Sequence, residues 1–195
     1  MIHLTAHKGK LEGIPSINTS PSVNPYCRSR AADPSGVCHS CYAVRLSSLR
    51  PALSRVLEAN SALLSAPLAP ADIPAIDGLY ARFHSFGELQ SSTHADNFAK
   101  IAESNPRTCF ALWTKRPRLV QRSALPSLLN ITLIYSDPIL HSSLDDALPS
   151  LPAGFHHIYS VFSRASGAVP CGGRCLDCLK CWRKDGPARI RQLLH

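Results

Sequence analysis

Seven of the eight cysteines in this chain fall into two groups. Cys27, Cys38 and Cys41 are spaced C-x10-C-x2-C, and Cys171, Cys175, Cys178 and Cys181 are spaced C-x3-C-x2-C-x2-C. Four thiols within eleven residues predict a metal centre, because thiolates are soft ligands for zinc and for iron–sulfur clusters. Structural zinc sites set two C-x2-C-type pairs across a longer loop. A single tight run fits a 4Fe–4S cubane better, so iron–sulfur is the expected cofactor and zinc the alternative.

The ferredoxin run C-x2-C-x2-C-x3-C-P is as compact. The C-terminal run, preceded by Pro170, has that spacing in reverse order. Gly172 and Gly173 are expected to help the backbone wrap a cluster, because glycine accepts positive φ. The N-terminal group supplies three thiolates, which leaves one iron of a cubane open to a water, a small-molecule ligand or a capping side chain such as His84. The simplest assignment is two clusters, one closed and one open. The alternative is one centre shared by both groups. Cys109 alternates with Ala111 and Trp113 in a predicted strand and reads as a core residue at the end of the sheet far from the site.

The elements that must position these thiols follow from periodicity and breakers. Residues 1–37 read as irregular apart from a short strand within 11–17, since Ile14-Pro15 and Ser20-Pro21 interrupt regular structure. Helices are expected over 39–49 and 50–64, the second with Pro51 at its start and an apolar face of Leu53, Val56, Leu57, Ala59 and Leu63. Strands are expected over 78–84, 108–114, 130–135 and 154–162, with helices over 96–103, 117–125, 143–148 and 189–194. Alternating strands and helices predict a parallel sheet, built either as a partial βα barrel or as an open sheet, with cysteine-rich N- and C-terminal segments. One domain is expected, with a cysteine-bearing segment over 1–41, a βα core over 42–165 and a cysteine-rich segment over 166–195.

Functional groups in such sheets gather past the C-terminal strand ends. That rule selects His84, Gly87, Glu88 and Lys115 as cofactor- or ligand-binding candidates, with Asp137 placed similarly. His156 and His157 are adjacent, so at most one can face a site. Asp145 and Asp146 read as charges solvating a helix.

Composition narrows the function classes. The 195 residues are 45% hydrophobic and 17% charged, a globular balance. Every apolar stretch is broken well short of the ~18 residues a membrane span needs. Residues 1–10 lack the apolar core of a secretory leader, so a cytoplasmic location is expected, where clustered cysteines bind metal rather than form disulfides. The net charge of +8 is compatible with nucleic acid or another polyanion as partner. A zinc-stabilised nucleic-acid-binding module is accordingly the alternative to an iron–sulfur protein.

Several motifs in order resemble a known family: Cys38-His-Ser-Cys41-Tyr42-Ala43, Arg82-Phe-His-Ser-Phe-Gly-Glu88-Leu89, Phe110-Ala-Leu-Trp-Thr114, Thr114-Lys115-Arg116-Pro117 and Cys181-Trp182. Together they look like the phage-encoded gene product 88 proteins and a related phage and bacterial group. Both groups are in turn similar to radical S-adenosylmethionine enzymes. The resemblance implies a partial barrel in which three cysteines hold a 4Fe–4S cluster, the last followed by an aromatic as in Cys41-Tyr42. It further implies that Gly87-Glu88 contacts the methionine end of S-adenosylmethionine, and that the protein is a redox or radical enzyme acting in a bacterial host. The usual spacing in those enzymes is C-x3-C-x2-C. Here the first gap is ten residues, while Cys171, Cys175 and Cys178 have that spacing at the other end of the chain.

Overall fold

The computed structural model describes residues 1–143, 146–163, 171 and 173–194. Among these residues seven strands form one open sheet in chain order: β1 (Leu4–Thr5), β2 (Ser16–Ile17), β3 (Tyr80–Phe83), β4 (Cys109–Thr114), β5 (Ile131–His141), β6 (His157–Phe162) and β7 (Arg189–Leu193). Every neighbouring pair is parallel except β1 against β2. The helices are α1 (Pro25–Ala31), α2 (Tyr42–Leu49), α3 (Pro51–Leu64), α4 (Ser92–Ser104), α5 (Pro117–Gln121) and the single turn α6 (Cys175–Cys178). This is the mixed α/β, mostly parallel sheet expected from the alternation of periods.

The pleat sends alternate side chains to two different environments. Ala81, Phe83, Phe110, Leu112, Ile131 and Leu133 pack against Leu64 of α3, Phe98 and Ile101 of α4 and Val120 of α5. Phe83 is stacked between Phe98 and Phe110, with ring centroids 4.1 and 4.7 Å away. A parallel sheet wound in sequence order keeps its crossovers on one side, so the opposite face needs another cover. The C-terminal segment supplies it. Trp182, Leu176 and Leu179 pack there on Ala111, Trp113, Ile134, Tyr80 and Tyr159. The Trp182 indole N–H donates to the Ala81 carbonyl at 2.9 Å. Burying an indole is worth about 3–5 kcal/mol against alanine, so this segment is anchored by its own packing.

Several elements differ from expectation. Residues 189–193 form a strand, not a helix. The exposed edge of β6 offers unpaired backbone groups, and β7 satisfies them, with Ile158 N–H donating to the Ala188 carbonyl and Leu194 N–H to that of Phe162. The expected helix over 143–148 is absent among the described residues. Asp146 instead accepts from the backbone N–H groups of Ser142 and Ser143, and Leu144 and Asp145 lie outside the described residues. Helix α1 lies inside the stretch read as irregular. It starts correctly, with Asn24 capping Tyr26 N–H and Pro25 in the first turn, but it buries no residue and so leaves no apolar stripe. The buried face of α3 is turned from the expected one: Leu57, Asn60, Ser61 and Leu64 are buried and Ala59 is exposed. Strand β5 runs through Ser136-Asp137-Pro138 by way of a register shift, where a proline costs no ladder bond. Cys109 opens β4 as expected but is exposed, which corrects its assignment to the core. No described helix is long and apolar enough to cross a membrane.

Candidate metal centres and the strand-end site

Strand β3 ends in a loop whose backbone is held at every step. His84 takes a left-handed conformation, φ 64°, and Gly87 another, φ 88°. Asn18 Oδ1 accepts from the N–H groups of Ser85 and Phe86 at 2.8 and 3.0 Å. The Tyr42 hydroxyl donates to the Ser85 carbonyl, and Asn24 Nδ2 to that of Glu88. A Cβ on Gly87 would stand 2.5 Å from the Thr19 carbonyl oxygen. Gly87→Ala therefore combines backbone strain with a clash against main chain and is expected to cost about 3 kcal/mol, read as a lowered urea midpoint at unchanged slope. An unchanged midpoint would show that the loop can relax.

Glu88 is buried and fully engaged. Its Oε1 accepts from Leu89 N–H at 2.8 Å and from the Thr114 hydroxyl at 2.5 Å, while Oε2 accepts from Lys115 N–H at 2.7 Å. The carboxylate thus ties the end of β3 to the end of β4. Arg116 closes the same tie by donating to the Leu89 and Gln90 carbonyls. Lys115 Nζ donates to Ser136 Oγ within β5, at the strand's register shift, 3.1 Å away. His84 turns from this group. Its ring packs on His94 and Phe98 of α4, neither ring nitrogen has a hydrogen-bond partner among the described residues, and burial holds its pKa well below the ordinary histidine value. Asp137 is likewise engaged elsewhere, with His141 and Ser160.

The N-terminal thiols are delivered from three elements. Cys27 lies in α1, Cys38 in the following loop, and Cys41 is the N-cap of α2. The loop is stapled to the far half of β5, where Val37 N–H donates to the Pro138 carbonyl and Leu140 N–H to that of Ser35. Burial pushes the Cys27 thiol up to about 12, and the charges of Glu88, Cys38 and Cys41 act in the same direction while Lys115 opposes them. Cys38 is also raised by burial and opposed first by Lys115. Three half-buried thiols, Glu88 and Lys115 therefore share one electrostatic neighbourhood, next to the positive end of α2.

The C-terminal thiols form a second neighbourhood, on the sheet face opposite the helices. Burial pushes Cys181 up to about 12 and raises Cys175, with the other thiols of the same run adding to it and Arg82 opposing. Cys178 is exposed. The N-terminal loop closes on this run. Leu176 lies 2.7 Å from where a Gly13 Cβ would be, and Lys10 Nζ donates to the Cys171 carbonyl. Gly173 has φ 84°, as a wrapping backbone requires, whereas Pro170 and Gly172 lie outside the described residues.

All eight cysteines are free thiols. Among the described residues no group of three or more Cys, His, Asp or Glu is gathered as a metal ion would require. The thiols of each run are neighbours rather than a closed single-ion shell.

Sequence reasoning gave three residues no part in the site, although Tyr42 and Arg82 stand in the motifs of the resemblance. Asn18 and Tyr42 shape the loop through polar contacts that leave no periodic signal. Arg82 sits within a parallel strand, with its guanidinium 3.9 Å over the Trp113 ring. A charged residue inside such a strand, where both faces are expected to be apolar, was the available clue. Of the adjacent histidines, His156 Nδ1 accepts from Leu133 N–H and His157 is buried between the Arg183 and Pro187 carbonyls. Neither joins the thiols.

A family model described as gene product 88 matches residues 3–184. No curated protein and no solved structure matches the chain.

Proposed function

This chain belongs to the gene product 88 family, and from that premise we propose that it is an iron–sulfur protein with two centres. Cys171, Cys175, Cys178 and Cys181 would hold a closed cluster. Cys27, Cys38 and Cys41 would hold an open one beside the shelf made by Glu88 and Lys115. The observation that carries this reading is that the thiols act on one another in two separate sets, Cys27 with Cys38 and Cys41 beside Glu88 and Lys115, and Cys175 and Cys181 with Cys171 and Cys178 beside Arg82.

A three-thiolate 4Fe–4S cluster supplies, when bound, an iron that can take a small molecule such as S-adenosylmethionine and exchange an electron with it. The chain's own contribution is positional. Lys115 and the positive end of α2 offset the charge of the thiolates. Glu88 has given its oxygens to Thr114, Leu89 and Lys115, so its part is to shape the shelf rather than to carry a proton. This reading makes the protein a redox or radical enzyme.

The test is anaerobic purification followed by iron, sulfide and zinc analysis. Iron and sulfide in about equal amounts are expected, in a brown protein. Stoichiometric zinc in a colourless protein would replace this reading with a zinc-stabilised module. A change in the paramagnetic resonance of the reduced protein on adding S-adenosylmethionine would support that ligand, and an unaltered spectrum would remove it.

A further inference from the structure

On the sheet face opposite the helices Arg82 carries a positive charge that no carboxylate among the described residues balances. Arg82 projects from β3 over Trp113, and its Nε donates to the His84 carbonyl at 3.2 Å. Among the described residues its terminal nitrogens have no hydrogen-bond partner, and no Asp or Glu forms an ion pair with it. A half-buried guanidinium with idle donors is costly unless something supplies acceptors.

A cavity lies near it, on the far side of His7. Ser16 and Arg82 are register partners across β2 and β3, so both project from the same face. His7 Nε2 shares a 2.5 Å hydrogen bond with Ser16 Oγ, which places His7 beside Arg82. His7 in turn lines a cavity of about 170 Å³ together with Lys8, Lys10, Tyr42 and Ser85. The Ser85 hydroxyl is buried there with no hydrogen-bond partner among the described residues. Among the described residues no acidic side chain lines the cavity.

We propose that this cavity, whose wall residue His7 stands beside Arg82, binds the carboxylate or phosphate group of a small-molecule ligand. Arg82 offers a planar pair of donors that matches either anion. Lys8 and Lys10 add positive charge at the rim, and Ser85 Oγ adds a donor inside. Burial, reinforced by the Arg82 charge, keeps His7 neutral, so it is not a competing cation. The volume is below the roughly 300 Å³ of a drug-sized site, so it accommodates an anionic head group rather than a large molecule. The position is telling as well. Tyr42 directly follows Cys41, and Lys10 touches the Cys171 carbonyl, so the cavity lies between the two thiol groups. The inference rests on protein groups alone and goes beyond the cluster reading.

Calorimetric titration with inorganic phosphate and with malonate, against chloride at matched ionic strength, tests it on the full chain. Binding above the chloride control is expected, weakened about tenfold or more in Arg82→Gln, as loss of a charge-assisted donor pair implies. Lys8→Ser combined with Ser85→Ala should weaken it about threefold, and Arg122→Gln, remote from the cavity, should not change it. A response to phosphate alone identifies a phosphate ligand, and one to malonate alone a carboxylate. No binding above chloride, or equal binding in Arg82→Gln, overturns the proposal. Should Arg82→Gln not fold, unchanged affinity in the Lys8→Ser, Ser85→Ala variant overturns it. Iron is assayed on the same samples. Anion binding by iron-free protein leaves this site standing while the cluster reading falls, and iron without anion binding does the reverse.

Discussion

Cys38→Ser is expected to remove about half of the protein-bound iron, and Cys178→Ser the other half, because each change takes a thiolate from the set that holds one centre and leaves the other set whole. The two sites are chosen for different reasons. Cys38 sits in the loop stapled to β5, next to Lys115. Cys178 is exposed, so its replacement disturbs packing least. The folded state should survive both changes. The C-terminal segment keeps Trp182 and β7 as anchors, and the N-terminal loop keeps its backbone bonds to β5. Iron and sulfide analysis of the two variants and of their combination decides the number of centres. If either single variant loses all its iron, the groups share one centre and the two-cluster assignment is wrong.

Stability is expected to fall steeply between pH 7 and about 5, before most carboxylates titrate. His84 and His94 are buried against each other and against Phe98. Burial, with nearby positive charge adding to it, lowers both pKa values, that of His94 from 6.5 to about 3. Above the unfolded value both states are neutral and nothing is gained or lost. Below it the unfolded chain takes up a proton that the folded chain refuses. Each such histidine then removes about 1.4 kcal/mol per pH unit until the folded value is reached. His7 and His156 are shifted the same way and add to the trend, less strongly because both are nearer solvent. Urea denaturation at pH 7, 6 and 5 measures the slope. His94→Gln keeps an acceptor for the Gln90 N–H that bonds His94 Nδ1 and should flatten the slope by about 1.4 kcal/mol per unit. A wild-type midpoint that does not move with pH would mean that water reaches the pair in solution.

Much of this architecture could be read without coordinates. The near-continuous apolar run at 109–114 and the alternation at 80–83 identify β4 and β3, because a parallel strand buried on both faces has little polar content. Pro51 and the apolar spacing after it locate α3. The terminal strand β7 could not be found this way. Its five residues, Arg189 to Leu193, have no strong pattern, and their conformation is decided by the free edge of β6 some thirty residues earlier. Helix α1 escaped for the opposite reason, since a helix that buries nothing needs no apolar face.

The site divides along the same line. Residue type and spacing by themselves determined that Cys27, Cys38, Cys41 and the four C-terminal cysteines form two thiol groups, because ligand chemistry depends on side-chain identity. They also located Gly87, Glu88 and Lys115 at strand ends, because topology places polar loops there. What each polar group does was decided only in three dimensions. Glu88 is a tie between strands, His84 packs against α4, and Arg82 lies over Trp113 beside the C-terminal thiols. These roles depend on whether a charge finds its partner, and the partners come from segments far apart in the chain. Thr114 is 26 residues from Glu88, and no local pattern encodes that meeting.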